Sequence, residues 1–171
     1  HISVAGLARQ LKSKNTTLAT APNSSGTDKA FGGGVTVSGK INLSSHDDIR
    51  FMATYGTGIG RYVALGTIAD ANLDANGGIE TNDVAAAYVT YHHMWNDKWR
   101  SNIQVSGITS DYGDLEVATD TEKNVTGLVN VIYRVAPKLD LGLEYLHGER
   151  TLNNGDSGSL DRLMGMAKYS F

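Results

Sequence analysis

Basic side chains recur at alternate positions: Lys40, Arg50, Arg100, Arg134, Arg150, Arg162 and Lys168 take even numbers in segments whose odd numbers are apolar. Only Asp140 and Glu144 stand among them as acids. Along the wall of a water-filled path, such an excess of one sign focuses anionic solutes. Near the ends of membrane strands the same residues could instead snorkel to the interface or hold the phosphates of lipopolysaccharide. Lys40 and Arg50 read as lying further in, and Arg100 and Arg134 as flanking short turns.

Other constellations are weaker. Asn72, Asp74 and Asn76, with Gly77 at position six and Asp83 at position twelve, follow the spacing of an EF-type calcium loop. Asn at position one, Asp in place of Glu at twelve and the lack of flanking helices favour a solvated, turn-rich loop. No metal site is therefore expected. Gly56-Thr57-Gly58-Ile59-Gly60 lacks the Lys and Ser/Thr of a phosphate-binding loop, and reads as small residues at a strand end. His92 and His93 are adjacent, so in a strand they point to opposite faces and cannot share a metal. No spacing assembles Ser, His and Asp into a nucleophile, a base and an orienting group. Neither an enzyme nor a cofactor is expected.

The elements that would position the basic residues are strands. In residues 30–43 the odd positions are Phe31, Gly33, Val35, Val37, Gly39, Ile41 and Leu43, against Gly32, Thr36, Ser38, Lys40 and Asn42. This is the period of two of a half-buried strand. The same parity returns near 49–56, 85–95, 99–105, 125–135, 139–145 and 159–171. With residues 2–12, whose parity is unclear, eight strands are expected. Connections at 44–48, 96–98 and 136–138 read as short, and those at 13–26, 61–83, 110–122 and 151–158 as long. Alternating short and long ends suit an up-and-down meander.

No segment offers an amphipathic helix to cover the apolar faces, so lipid is the economical partner. Strands of about 9–11 residues alternating apolar and polar, with short turns at one end and long loops at the other, are the signature of an outer-membrane barrel. Trp95, Trp99, Tyr133, Tyr169 and Phe171 gather at the short-turn end, and Phe31, Tyr55 and Tyr145 toward the other. Such placement matches aromatic belts at two membrane interfaces. The chain has 171 residues, 15 basic and 18 acidic side chains, a net charge of −3 and no cysteine. That balance disfavours a general nucleic-acid binder. The opening residues lack an initiator Met and a signal segment, so the sequence is expected to start after processing or inside a longer polypeptide.

The ending Met166-Ala167-Lys168-Tyr169-Ser170-Phe171 resembles the last strand of bacterial outer-membrane barrels, which implies recognition by the barrel-assembly machinery. The stretch from Ala87 to Asn102, a strand ending in aromatics, a tight turn and then Arg100-Ser101-Asn102, resembles the DcaP-like porins, with residues 84–171 carrying most of the likeness. The resemblance implies a sixteen-stranded, homotrimeric diffusion channel for small anionic or carboxylated solutes. Residues 1–171 would then be the C-terminal portion of a single barrel domain.

The fold expected is thus all-β: a transmembrane antiparallel up-and-down barrel in the bacterial outer membrane, with half of its strands in this chain. The alternative is a small closed eight-stranded barrel with a structural or adhesive role. Its narrow interior would have to pair or bury the basic residues, at a cost of several kcal/mol for each unpaired charge. Glycines at 32, 34, 56 and 58 would also fill such an interior poorly.

Overall fold

The computed structural model describes residues 1–14, 27–64, 66–74 and 78–171. The connection expected at 13–26 falls largely outside them, as do Asn76 and Gly77 of the calcium-like spacing. Eight long strands form one antiparallel sheet: β1 (Ile2–Lys14), β2 (Thr27–Asn42), β3 (Asp47–Thr57), β6 (Asp83–Met94), β7 (Trp99–Asp111), β8 (Thr121–Ala136), β9 (Leu139–Leu152) and β10 (Ser157–Tyr169). They lie in chain order, each beside its predecessor in the sheet. Among the described residues β1 and β10 are the two edges, and neither is paired on its outer side.

Between β3 and β6 the chain adds a four-residue helix, α1 (Gly60–Val63), and a hairpin of β4 (Ala71–Leu73) and β5 (Ile79–Thr81). No periodicity in the sequence foretells these short pieces, and this region was expected to be an unstructured loop. The connection expected to be long at 151–158 is only residues 153–156. Gly155 there adopts φ +85°, which lets the chain reverse tightly.

Register settles the faces. Odd residues pair with odd residues across β2, β3 and β6 to β10, apart from the irregularities at the two ends of β8. β1 is offset: Ile2 faces Gly39, Val4 faces Val37 and Arg9 faces Gly32. Its even residues therefore join the odd ones elsewhere, while Leu7, Arg9 and Leu11 share the opposite face. That face is the polar one, and apolar residues on both sides of β1 explain why its parity is unreadable in the sequence.

The apolar face has no covering element among the described residues. Val35, Val105 and Leu143 are each about half exposed and Leu163 is 69% exposed. A contiguous patch of this extent marks an interaction surface and not an ordinary monomer exterior. The buried cluster lies instead on the polar face, where Ile59, Ile68, Val84 and Tyr112 meet, with Val63, Ala64 and Ile108 against them. Val84 and Ile108 are even residues of β6 and β7, so the segment between β3 and β6 is folded back over the polar face.

Candidate functional site

The polar face carries its charges in two tiers. Nearest the short turns, Asp48 is buried and meets three nitrogen partners: Lys40 Nζ at 3.2 Å, Arg50 Nε at 2.7 Å and His92 Nδ1 at 3.0 Å. Four strands along the sheet, on β9, Asp140 accepts Arg100 Nη2 at 2.7 Å and lies 3.5 Å from Arg134 Nε. Lys40 and Arg50 face each other in register, two pairs inward of Asn42 and Asp48. Lys40 is third from the turn end of β2 and Arg50 fourth in β3, against second in β7 for Arg100 and third from the end of β8 for Arg134. The parity reading stopped short of Asp48, because the strand was read as starting at Ile49.

Between the tiers the face is polar but nearly uncharged. Thr36 bonds Thr54, the Thr90 hydroxyl donates to Gln104, and Asn102, Asn130 and Glu144 form a chain through the two amide groups. Toward the long-connection end Arg150 donates to the Thr121 hydroxyl oxygen. Arg150 and Arg162 border an open pocket of about 560 Å³ together with Asn124 and Thr126. Arg162 and Lys168 make no ion pair among the described residues. All nine residues expected to line a path share this face, but Asp48 and Asp140 each pair with two of the bases, so two negative charges offset part of four positive ones.

The second tier is the folded-back segment. Gly58 N–H donates to Asn82 O, closing the segment at its base, and Asn82 N–H donates to Asp70 O. Asn82 is buried, and its side-chain amide donates to Ala69 O. Glycine makes the floor: a Cβ on Gly34 or Gly56 would meet Ile59 Cδ1 at 2.9 Å. The small residues at 34 and 56 thus seat an apolar side chain. Gly58 at φ +66° makes the turn into α1.

Asp70 clasps this segment to the wall. It accepts Arg9 Nη1 from β1 at 2.9 Å, and Arg61 from α1 through both Nε, at 2.5 Å, and the backbone N–H, at 2.8 Å. Burial pushes the Asp70 carboxyl up, but the Arg61 N–H and the two guanidinium groups outweigh it and hold the group below its ordinary value. Arg9 also donates to Gly58 O and lies 5.3 Å from the centre of the Tyr62 ring. Neither Arg9, Arg61 nor Asp70 was singled out in the sequence. Arg9 was hidden by the parity of β1, and the other two by the lack of periodicity around them.

Of the calcium-like spacing, three members lie among the described residues. Asn72 sits on β4 and donates to Leu115 O, Asp74 Oδ1 accepts the Gly78 N–H, and Asp83 on β6 accepts the Tyr55 hydroxyl. On the apolar face Trp99 stacks on Tyr133 with ring centres 4.5 Å apart, and Tyr169 meets Phe171 edge-on at 5.5 Å. Trp95 lies near them at the same end, its indole N–H on the Ser101 hydroxyl.

Two comparisons with known proteins bear on this arrangement. The crystal structure of the outer membrane channel DcaP of Acinetobacter baumannii matches with a TM-score of 0.83 at 26% identity, over 99% of this chain and 46% of that one. The chain thus spans about half the length of that channel. The NanC porin structure matches at 13% identity and a TM-score of 0.44, over 99% of each chain. No curated protein sequence matches the chain. The family model of the DcaP outer membrane protein matches residues 7–171, reaching well before the region around Trp95 that first suggested it. A sheet with one bare apolar face, a polar face lined with bases and this match over nearly the whole chain agree: the chain belongs to the DcaP outer membrane protein family, whose place is the bacterial outer membrane.

Proposed function

We propose that the chain supplies half of a sixteen-stranded outer-membrane porin barrel through which small hydrophilic, anionic or carboxylated solutes diffuse without chemistry. The observation that carries this reading is the sheet itself. Its apolar face suits lipid, its polar face suits water, and both of its edges stand open. Unpaired backbone groups are not tolerated in hydrocarbon, so each edge calls for a further strand. The likeness to the Acinetobacter channel, of which the chain covers 46%, supports finding those strands in the remainder of such a protein.

The polar face gives the sign of the selectivity. With Arg9 it holds more bases than acids, and Arg162 and Lys168 stand without an ion pair among the described residues. In a narrow aqueous path such a surplus raises the local concentration of anions. The belt of Trp95, Trp99, Tyr133, Tyr169 and Phe171 would mark one membrane interface. The C-terminal strand would engage the assembly machinery, lipopolysaccharide would meet the outer rim, and three copies would associate.

The test is the reversal potential of single channels in planar bilayers under a salt gradient. The protein used is the one purified from outer membranes, with its intact mass measured. A mass well above that of 171 residues with anion-selective conductance is the expected result. A mass matching this chain alone with no conductance would instead indicate a small closed barrel.

A further inference from the structure

We propose that Lys12 and Lys29 together hold a phosphate of lipid A, the membrane anchor of lipopolysaccharide, on the outward face of the sheet. This rests on the reading above, in which the apolar face meets lipid. Lys12 on β1 and Lys29 on β2 are direct cross-strand partners. Both belong to the apolar face, where the even residues of β1 join the odd ones of β2, and both are exposed. Side chains so paired have their Cβ atoms about 5 Å apart, and two like charges there repel. Each lysine is third from its strand's end at the connection between β1 and β2.

Nothing nearby in this chain answers that repulsion. No acid pairs with either lysine among the described residues, and residues 15–26, which join the two strands, contain neither an acid nor a base. Asp28, beside Lys29 in sequence, takes the opposite face and accepts the Ile79 N–H. An anion set between the two ammonium groups turns the repulsion into two charge-assisted contacts. The surface below says what the anion carries. On the same face Phe31 is 69% exposed and Val4 70% exposed. An open depression of about 520 Å³ then begins at Val35 and Val37 and runs over Ala53, Ala85, Ala87 and Gly107. A charged pair at the rim above an apolar slope suits an anion with acyl chains, whereas a bare phosphate would use only the rim. Long connections mark the external end of such barrels. The anionic lipid of that leaflet is lipopolysaccharide, and the bases of the polar face stand on the wrong side of the sheet to meet it.

The test uses the intact protein carrying this chain, folded into phosphatidylcholine vesicles with and without added lipopolysaccharide. Its unfolding temperature and the lipopolysaccharide it retains are measured. Without lipopolysaccharide, Lys12→Gln/Lys29→Gln is expected to unfold at or slightly above the wild-type temperature, because the opposed charges are gone. With it, the wild type should be stabilised, and the double variant should bind about tenfold or more weakly. Lys98→Gln, in the connection at the other end of the strands, should behave as wild type. Dephosphorylated lipopolysaccharide should no longer distinguish wild type from double variant, and inorganic phosphate alone should stabilise neither. If the double variant does not fold, Lys29→Gln is read in its place. Equal retention of lipopolysaccharide by wild type and variant would overturn the proposal and place the counter-charge on the strand that joins β1. Stabilisation by inorganic phosphate equal to that by lipopolysaccharide would overturn the lipid as its source. Conductance in the vesicle lipid alone keeps the two readings apart: a wild type that does not conduct removes the channel reading, whereas a conducting wild type that retains no more lipopolysaccharide than the variant removes only this one.

Discussion

Gly34 on β2 lies directly beneath Ile59: a Cβ built on the glycine would come within 2.9 Å of Ile59 Cδ1 and 3.0 Å of Tyr55 O. The isoleucine is itself 2% exposed, so it has little room to retreat. Gly34→Ala should therefore displace the segment after β3 at an overpacking cost of about 1–3 kcal/mol. Hydrogen exchange should quicken for amides near residues 58–63 and stay unchanged in β8 to β10. Equal protection in both regions would contradict the seating of Ile59.

The faces of the sheet can be tested by paired substitutions at neighbouring positions. Val105 projects from the apolar face of β7 and Gln104 from the polar one. Val105→Lys should cost about 2–4 kcal/mol of folding stability in lipid vesicles, as for a lysine near the bilayer midplane. Gln104→Lys should cost far less. Similar losses for the two would reverse or erase the assignment.

Charge substitutions on the polar face should have opposite signs. Arg61→Gln should weaken anion preference, because its guanidinium is largely exposed. Asp48→Asn should strengthen it by releasing Lys40 and Arg50 from their shared carboxylate. Reversal potentials that move the same way in both variants would count against a path lined by these residues.

The Asp70 carboxyl titrates below its ordinary value in the folded protein, so it binds protons more readily when the clasp is open. The stabilisation is then fully present above the ordinary carboxylate range and is lost as pH falls through the lower, folded value. Conductance and noise should be flat from pH 7 down to about 5 and rise only below about 4. Asp70→Asn should show no such step.

Trp99 and Tyr133 stack at 4.5 Å across β7 and β8. A double-mutant cycle with Trp99→Ala and Tyr133→Ala, read by unfolding in lipid vesicles, should give a coupling of about 0.5–1.5 kcal/mol. Simple additivity would mean that the rings act independently at the rim.

Most of the sheet was legible because side-chain alternation is a direct image of pleated geometry. Phe31 to Leu43 or Leu139 to Tyr145 need no tertiary information to declare their faces. The same logic found Arg100 and Asp140 on one surface. It failed where apolar residues lie on both faces of a strand. Leu7 and Leu11 blur the pattern of β1 because they stand on its polar face, beside the folded-back segment, and Arg9 went unseen with them. Ile59, Arg61, Ile68 and Asp70 lie in pieces too short to show a period. Their positions follow from long-range contacts with β1, β2 and β6. The glycine cluster at 56, 58 and 60 was visible, but its purpose depends on Ile59 finding it.

The segment between β3 and β6 is tied at its base by Gly58 and Asn82 and at its far side to Arg9 on β1. It thus acts as a chord drawn across the strands at one end of the sheet, resisting any flattening there. Toward β8 to β10 the ties run between connections instead: the Asn153 and Asn154 N–H groups donate to Asp120 O and Ala118 O, and an open pocket lies beside Arg150 and Arg162. The β1 margin is therefore braced by a segment lying across the face of the sheet, and the β10 side by contacts between its loops. Flattening the sheet near β1 would have to break the Asp70 clasp, whereas bending it near β10 would pull on the bonds between residues 117–120 and 153–154.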